Sequence, residues 1–303
     1  MSYLTQDPSL CHSWILDVSD ASYIRQGHFS RADIKEIQSH NALTIPDIPK
    51  HVNTYLQTLK GNYQKTATKL REQLQFPWTE LYNRETDYDS NWIFGTMYLM
   101  INEYDFGHLK TPHNEQWYQL HIWSMIDRLF AKVSGFGEYG CAEAGSKYEG
   151  PRGSKKMIES GLKAPKILKD MINNLVALCQ HEEDRVVKLR TIRFIHSELV
   201  MEILIMDVPQ GYVARLTKSV EYMIPQPISN VNAQLLPLLS VLISIQLLIL
   251  QVIDIVENRV PAIEHPLYQY KNTFVRQGPP ENEVHKRKSL PTSTATPEKR
   301  RMK

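Results

Sequence analysis

The stretch EYGCAEAGSK, residues 138–147, decides how this chain is read. Two carboxylates, Glu138 and Glu143, stand among Gly, Ala, Cys and Tyr in what reads as a short strand from Phe136 to about Ala144. Small residues in a strand let a ligand or another backbone approach closely, so a carboxylate there is either paired or holds a metal. On a regular strand two residues five positions apart point to opposite faces. Without a bulge at Gly140, Glu138 and Glu143 do not share an ion.

Upstream, Thr111-Pro112-His113-Asn114-Glu115 reads as a helix start, and Trp117, Leu120, Ile122, Trp123, Ile126, Leu129 and Phe130 follow at helical spacing. Downstream, residues 147–169 carry seven Lys/Arg against Glu149 and Glu159. Pro165 suits the first turn of a helix whose apolar face is Leu168, Met171, Ile172, Leu175 and Cys179, with Lys163, Lys166 and Lys169 away from that face. Residues 191–224 then read as a β-meander, with turn chemistry at Asp207-Val208-Pro209-Gln210-Gly211.

Further out the signals thin. Residues 53–75 read as one helix ended by Pro77, and Asn91–Ile101 as a buried helix. Leu235–Ile253 has no charge over nineteen residues, long enough for a membrane span. It lacks flanking aromatic belts and Lys/Arg anchors, which favours a central core helix over a single-span membrane protein. Cys179-Gln180-His181-Glu182-Glu183-Asp184 is rich in ligand atoms but has no second half-site. Three cysteines with no C-x-x-C argue against a disulfide framework or a zinc site.

Charge is uneven. The chain totals +2, yet residues 276–303 hold eight Lys/Arg and three Glu, a net of +5, which leaves −3 for the rest. The Pro-, Ser- and Thr-rich tail is expected to be disordered. Its clusters Lys286-Arg287-Lys288 and Lys299-Arg300-Arg301, ten residues apart, have the form of a two-part nuclear import signal read by an import receptor. The alternative is a solvated tail on a cytoplasmic protein.

Taken together, helix, carboxylate strand, lysine-bearing helix and meander resemble the PD-(D/E)XK nuclease-like fold, in particular a group of proteins from early-diverging fungi. The resemblance rests on NEQWYQLHIWSMIDRLF (114–130), EYGCAEAG (138–145), GLKAPKILKDM (161–171) and MDVPQGYVARLT (206–217) and covers roughly 110–260. It implies Mg²⁺-assisted phosphodiester hydrolysis, in which carboxylates hold the ion and the ion activates water. By position, Glu115 matches the helix carboxylate and Glu143 the Glu of the E-x-K triplet. Glu138 and Lys147 are the remaining catalytic candidates.

Two departures weigh against activity. The triplet is Glu143-Ala144-Gly145, so its lysine is missing, with Lys147 two residues beyond. Between Phe130 and Phe136 only Ala131–Gly135 remain. Five residues extend about 17 Å at most, too short for the Asp-bearing strand and its turn that the family places there. Glu143 is then expected to be paired, with Lys147, Lys163 or backbone N–H groups.

The expectation is an α+β protein with a short mixed sheet flanked by helices, restriction-endonuclease-like. Residues 1–110 form a mostly helical extension, 111–262 the core, and 263–303 a disordered basic tail. The functional expectation is a degenerate nuclease-like pseudoenzyme without cofactor, nuclear, binding DNA or RNA through Lys155, Lys156, Lys163 and Lys166. The alternative is an active nuclease with Mg²⁺ on Glu115 and Glu143. Neither residue count nor pattern fixes an oligomeric state.

Overall fold

The computed structural model describes residues 10–42, 44–60, 66–74, 81–133, 135–145, 150 and 159–257. At its centre is a six-stranded mixed sheet built from β1 (Ile15–Asp17), β2 (Gly140–Gly145), β3 (Arg190–Ser197), β4 (Val200–Gln210), β5 (Val213–Lys218) and β6 (Tyr222–Met223). The order is β1-β5-β4-β3-β2, with β6 added on β4. β1 runs parallel to β5 and β2 parallel to β3, and the other pairs are antiparallel.

The meander forms where β-branched and aromatic residues favour a pleated, buried surface. Ser197 pairs with Val200 across the two-residue turn Glu198-Leu199, and Glu198 takes φ +53°, the left-handed conformation tight hairpins demand. Gly211, at φ +62°, plays that part between β4 and β5.

The helices follow in chain order: α1 (Ser22–Arg25), α2 (Arg31–Ser39), α3 (Lys50–Thr58), α4 (Ala67–Gln73), α5 (Arg84–Asp105), α6 (Glu115–Tyr118), α7 (Ser124–Phe130), α8 (Phe136–Tyr139), α9 (Ala164–Leu178), α10 (Glu183–Val186) and α11 (Leu236–Glu257). Helix α2 opens on a capping box in which Ser30 Oγ accepts from Asp33 N–H and the Asp33 carboxylate accepts from Ser30 N–H. A π-helical turn, Gln119–Trp123, joins α6 to α7.

Alternation along paired strands sorts side chains onto two faces. One face carries Ile192, Phe194, His196, Met201, Ile203, Asp207 and Arg215. Phe194 meets Phe130 there and His196 stacks on Trp123, so α7 lies on this side. Helix α11 packs beside it: buried Gln246 donates its Nε2–H to Leu129 O near the end of α7, a carbonyl that also accepts from the Tyr88 hydroxyl at 3.4 Å. The opposite face carries Cys141, Glu143, Thr191, Arg193, Ile195 and Glu202 and is covered by α9, whose Leu168 carbonyl accepts from Thr191 Oγ1.

The run Ile228–Glu257 is long and apolar enough to cross a membrane, and 56 % of its most apolar window is buried against the rest of the molecule. Arg185 of α10, itself buried, donates to Ile255 O and Val256 O at the end of α11. A cation there complements the negative end of the helix dipole.

Three elements differ from the sequence expectation. Where one helix is expected over 53–75, the described residues form two, α3 ending at Thr58, whose Oγ1 bonds back to Tyr55 O, and α4 capped by Thr66 through Lys69 N–H. The 136–144 strand begins only at Gly140. Gly135, at φ +70°, starts the helical turn α8, closed by Glu138 N–H to Gly135 O at 2.8 Å. Phe136 then folds back onto Phe130, ring centroids 4.2 Å apart, and a Cβ at Gly140 would lie 2.7 Å from the Phe136 ring. Lastly, the turn expected at 207–211 is narrower, because β4 runs on to Gln210 and the chain reverses at Gly211-Tyr212. The first 110 residues hold α1–α5. They supply β1 to the sheet, and Leu56, Ile93 and Met97 share one buried cluster with Phe194 and Leu242. The tail from residue 258 lies outside the described residues.

Candidate functional site

Glu143 sits in the middle of β2, which has no partner on its outer side among the described strands. Its carboxylate accepts from Nη2 of Arg193, on the neighbouring strand and the same face. Nη1 of that guanidinium donates to Cys141 Sγ at 3.4 Å, and Cys141 Sγ lies 4.0 Å from Met171 Sδ on α9. One buried arginine thus gathers the two polar side chains of the strand. Burial pushes the Cys141 thiol above its ordinary range, and Arg193 only partly opposes that, so the sulfur stays protonated near neutral pH and is a poor nucleophile.

A hard cation needs several oxygens converging on one point. The Glu143 carboxylate is turned to a guanidinium, and among the described residues no three His, Cys, Asp or Glu side chains gather as a metal site. Glu138 is exposed on α8 rather than on the strand, which answers the face-parity question by removing it from the sheet. Glu115 is half-buried as the first residue of α6, where it favours the positive end of the helix. The residues present do not fit a Mg²⁺ ion held by Glu115 and Glu143.

The lysines divide. Lys147, Lys155 and Lys156 lie outside the described residues, as do the six basic residues of the import clusters. Lys163 is exposed. Lys166 and Lys169, expected on the solvent side of α9, are instead buried against the molecule, at 6 % and 0 % exposure. The Lys169 ammonium donates to Tyr212 O at 3.0 Å in the β4–β5 turn, and burial lowers its pKa to about 8. The Lys166 ammonium has no hydrogen-bond partner among the described residues. The sequence reading failed here because a lysine's four-carbon stem covers apolar surface as well as a leucine does.

A second cluster escaped the sequence reading. The Glu103 carboxylate at the end of α5 is bonded on one oxygen by His108 Nδ1 at 2.7 Å and on the other by His121 Nδ1 at 2.9 Å. The rings of His113, Trp117 and His121 form one parallel stack, with centroids 3.7 and 4.8 Å apart. The signal was the spacing H-x-x-x-W-x-x-x-H, one face of a helix. Its effect is to clip the segment 108–121 onto α5. Both imidazoles turn the same nitrogen to one carboxylate, so they do not converge on an ion.

What fold and site define is a class: an α+β protein with a six-stranded mixed sheet between helical layers, and an arginine-bound carboxylate on its β2 edge strand. No family model matches the chain, and no curated protein or solved structure does either.

Proposed function

We propose that this chain is a non-catalytic, nuclease-like α+β module that binds nucleic acid and has lost the metal chemistry of the fold it resembles. One observation carries the reading: the Glu143 carboxylate, at the metal-binding position of the resemblance, is taken by the buried guanidinium of Arg193. A divalent cation arriving there would have to displace the guanidinium already bound to this carboxylate, or sit beside that like charge. No cofactor enters this reading.

Phosphate contact then falls to Lys163 together with Lys155 and Lys156. Lys166 drops out because its ammonium is buried. Two further parts of the reading rest on the sequence alone: the nucleus as the place of action, and an import receptor on the basic tail clusters. The buried share of α11, and the polar clamps of Gln246 and Arg185 on neighbouring elements, support its reading as a core helix rather than a span.

Plasmid nicking in the presence of Mg²⁺ tests the first half. Wild-type chain is expected to leave supercoiled DNA intact. Nicking that disappears in Glu143→Ala would establish the active-enzyme alternative and end this reading. Filter retention of DNA against salt tests the second half. Retention should fall with rising salt and be lost when Lys155, Lys156 and Lys163 are changed to Gln. Retention that is indifferent to both refutes nucleic-acid binding through these lysines.

A further inference from the structure

At the opposite end of the sheet from the Glu198 turn, a cleft of about 360 Å³ opens between the start of β3 and the C-terminal half of α11. That is the size range of small-molecule sites. Its floor is aliphatic, from Leu248 and Val252, and Lys188, Arg190, Thr44, Gln251 and Asp254 supply the polar atoms.

The charge beneath this cleft does not balance. Arg215 holds Asp207 through two bonds, Nε to Oδ1 at 3.0 Å and Nη2 to Oδ2 at 2.5 Å. Arg190 reaches the same Asp207 only at 3.6 Å. Among the described residues, two buried guanidiniums therefore share one buried carboxylate, and this group carries an excess positive charge. Nη1 of Arg190 is spent on the carbonyls of Val187 and Leu189, while its Nε is buried with no partner among the described residues. Burial and the neighbouring Arg215 both weigh against its charge, and Asp207 only partly offsets them. An unpaired buried charge is expensive unless an opposite charge approaches.

We propose that this cleft binds a small organic carboxylate with a short aliphatic chain. The head group sits toward Arg190 and Lys188, with Thr44 and Gln251 as further hydrogen-bonding groups, and the chain lies along Leu248 and Val252. Lys188 is exposed and adds charge at the mouth. Asp254, exposed on the same rim, opposes an anion and sets the affinity below what the two cations alone would give. This site is independent of the nucleic-acid reading.

Calorimetric titration of the full chain with sodium butanoate tests it, with n-butylammonium chloride and inorganic phosphate as controls. Butanoate is expected to saturate a single site, phosphate to bind more weakly for want of the chain, and butylammonium not to bind. Arg190 is left intact because its loss would disturb Asp207. The variants are Lys188→Ala, expected to weaken butanoate roughly two- to five-fold, and Asp254→Asn, expected to tighten it by a similar factor, as exposed charges do. Three results overturn the proposal: no saturable butanoate binding, equal binding of butylammonium, or phosphate binding as tightly as butanoate. Butanoate binding indifferent to both variants overturns it too, since the site would then lie elsewhere.

Discussion

Two arginine–carboxylate pairs bridge neighbouring strands of the same sheet, and they differ in almost everything but chemistry. Arg215 and Asp207 lie in its interior, 4 % and 5 % exposed at their side chains. The remaining donors of Arg215 go to the carbonyls of Ile37 and Gln38 in the last turn of α2 and of His40 and Asn41 just after it. Arg193 and Glu143 lie at the β2 edge, where the arginine is equally buried but the carboxylate is 30 % exposed. The first pair is a structural joint: one planar fork satisfies the end of a helix and a buried acid together, which a lysine's point charge does not do. The second joins two neighbouring strands through a carboxylate partly open to water. The contrast separates a charge the fold depends on from one it tolerates.

Breaking the interior joint should have the largest effect. Arg215→Met leaves Asp207 buried with only the distant Arg190 and strips four carbonyls of their donor. The expected cost is about 3–5 kcal/mol, read as a fall in the urea midpoint. Amide exchange in residues 31–41 should accelerate more than in β3, because that segment is what Arg215 ties to the sheet.

Two buried bases, one over each face, extend the contrast to pH. Burial lowers His196 to a pKa of about 4 from an ordinary 6.5. Between those values the unfolded chain takes up a proton that the folded chain refuses, so stability falls as pH drops from 6.5 to 4. The loss is on the order of 3 kcal/mol. His196→Phe, which keeps a ring against Trp123, should flatten that limb of the acid unfolding curve. Lys169 gives the alkaline counterpart. Its folded value of about 8 lies below 10.5, so stability rises with pH across that window, as the unfolded chain there still holds the proton the folded chain has lost. Lys169→Met should stabilise the fold at pH 7 by about 1–2 kcal/mol net of the lost bond to Tyr212, read as a rise in the urea midpoint. That advantage should shrink steadily toward pH 10.5.

Much of this was legible in the sequence, and the failures share a cause. The meander was readable because β-branched and apolar residues mark its strands, while the tight turn at Glu198-Leu199 carried no such mark and the one expected at 207–211 falls at Gly211-Tyr212. The α9 face was readable from Leu168 to Cys179. Expected pairing of Glu143 holds, but with Arg193, fifty residues away and brought alongside only by parallel pairing of β2 with β3. No local pattern announces such a partner. Glu138 was misplaced because the turn at Gly135 depends on Phe136 finding Phe130, again a contact across elements. Burial of Lys166 and Lys169 was hidden because composition shows their charge and not the path of their stems.

The smallest effect belongs to the edge pair and tests the contrast most sharply. Glu143→Gln removes the charge but leaves an amide oxygen for Arg193, and the position is partly open to water. A cost of about 1 kcal/mol or less is expected, in the range of exposed pairs. A double-mutant cycle with Arg193→Met should return a coupling of similar size, while the Arg215–Asp207 cycle should return several-fold more. If Glu143 proved as costly to change as Arg215, its carboxylate would be a joint of the fold. The inherited-site reading would then lose its support, because a residue kept for packing says nothing about a metal that once sat beside it.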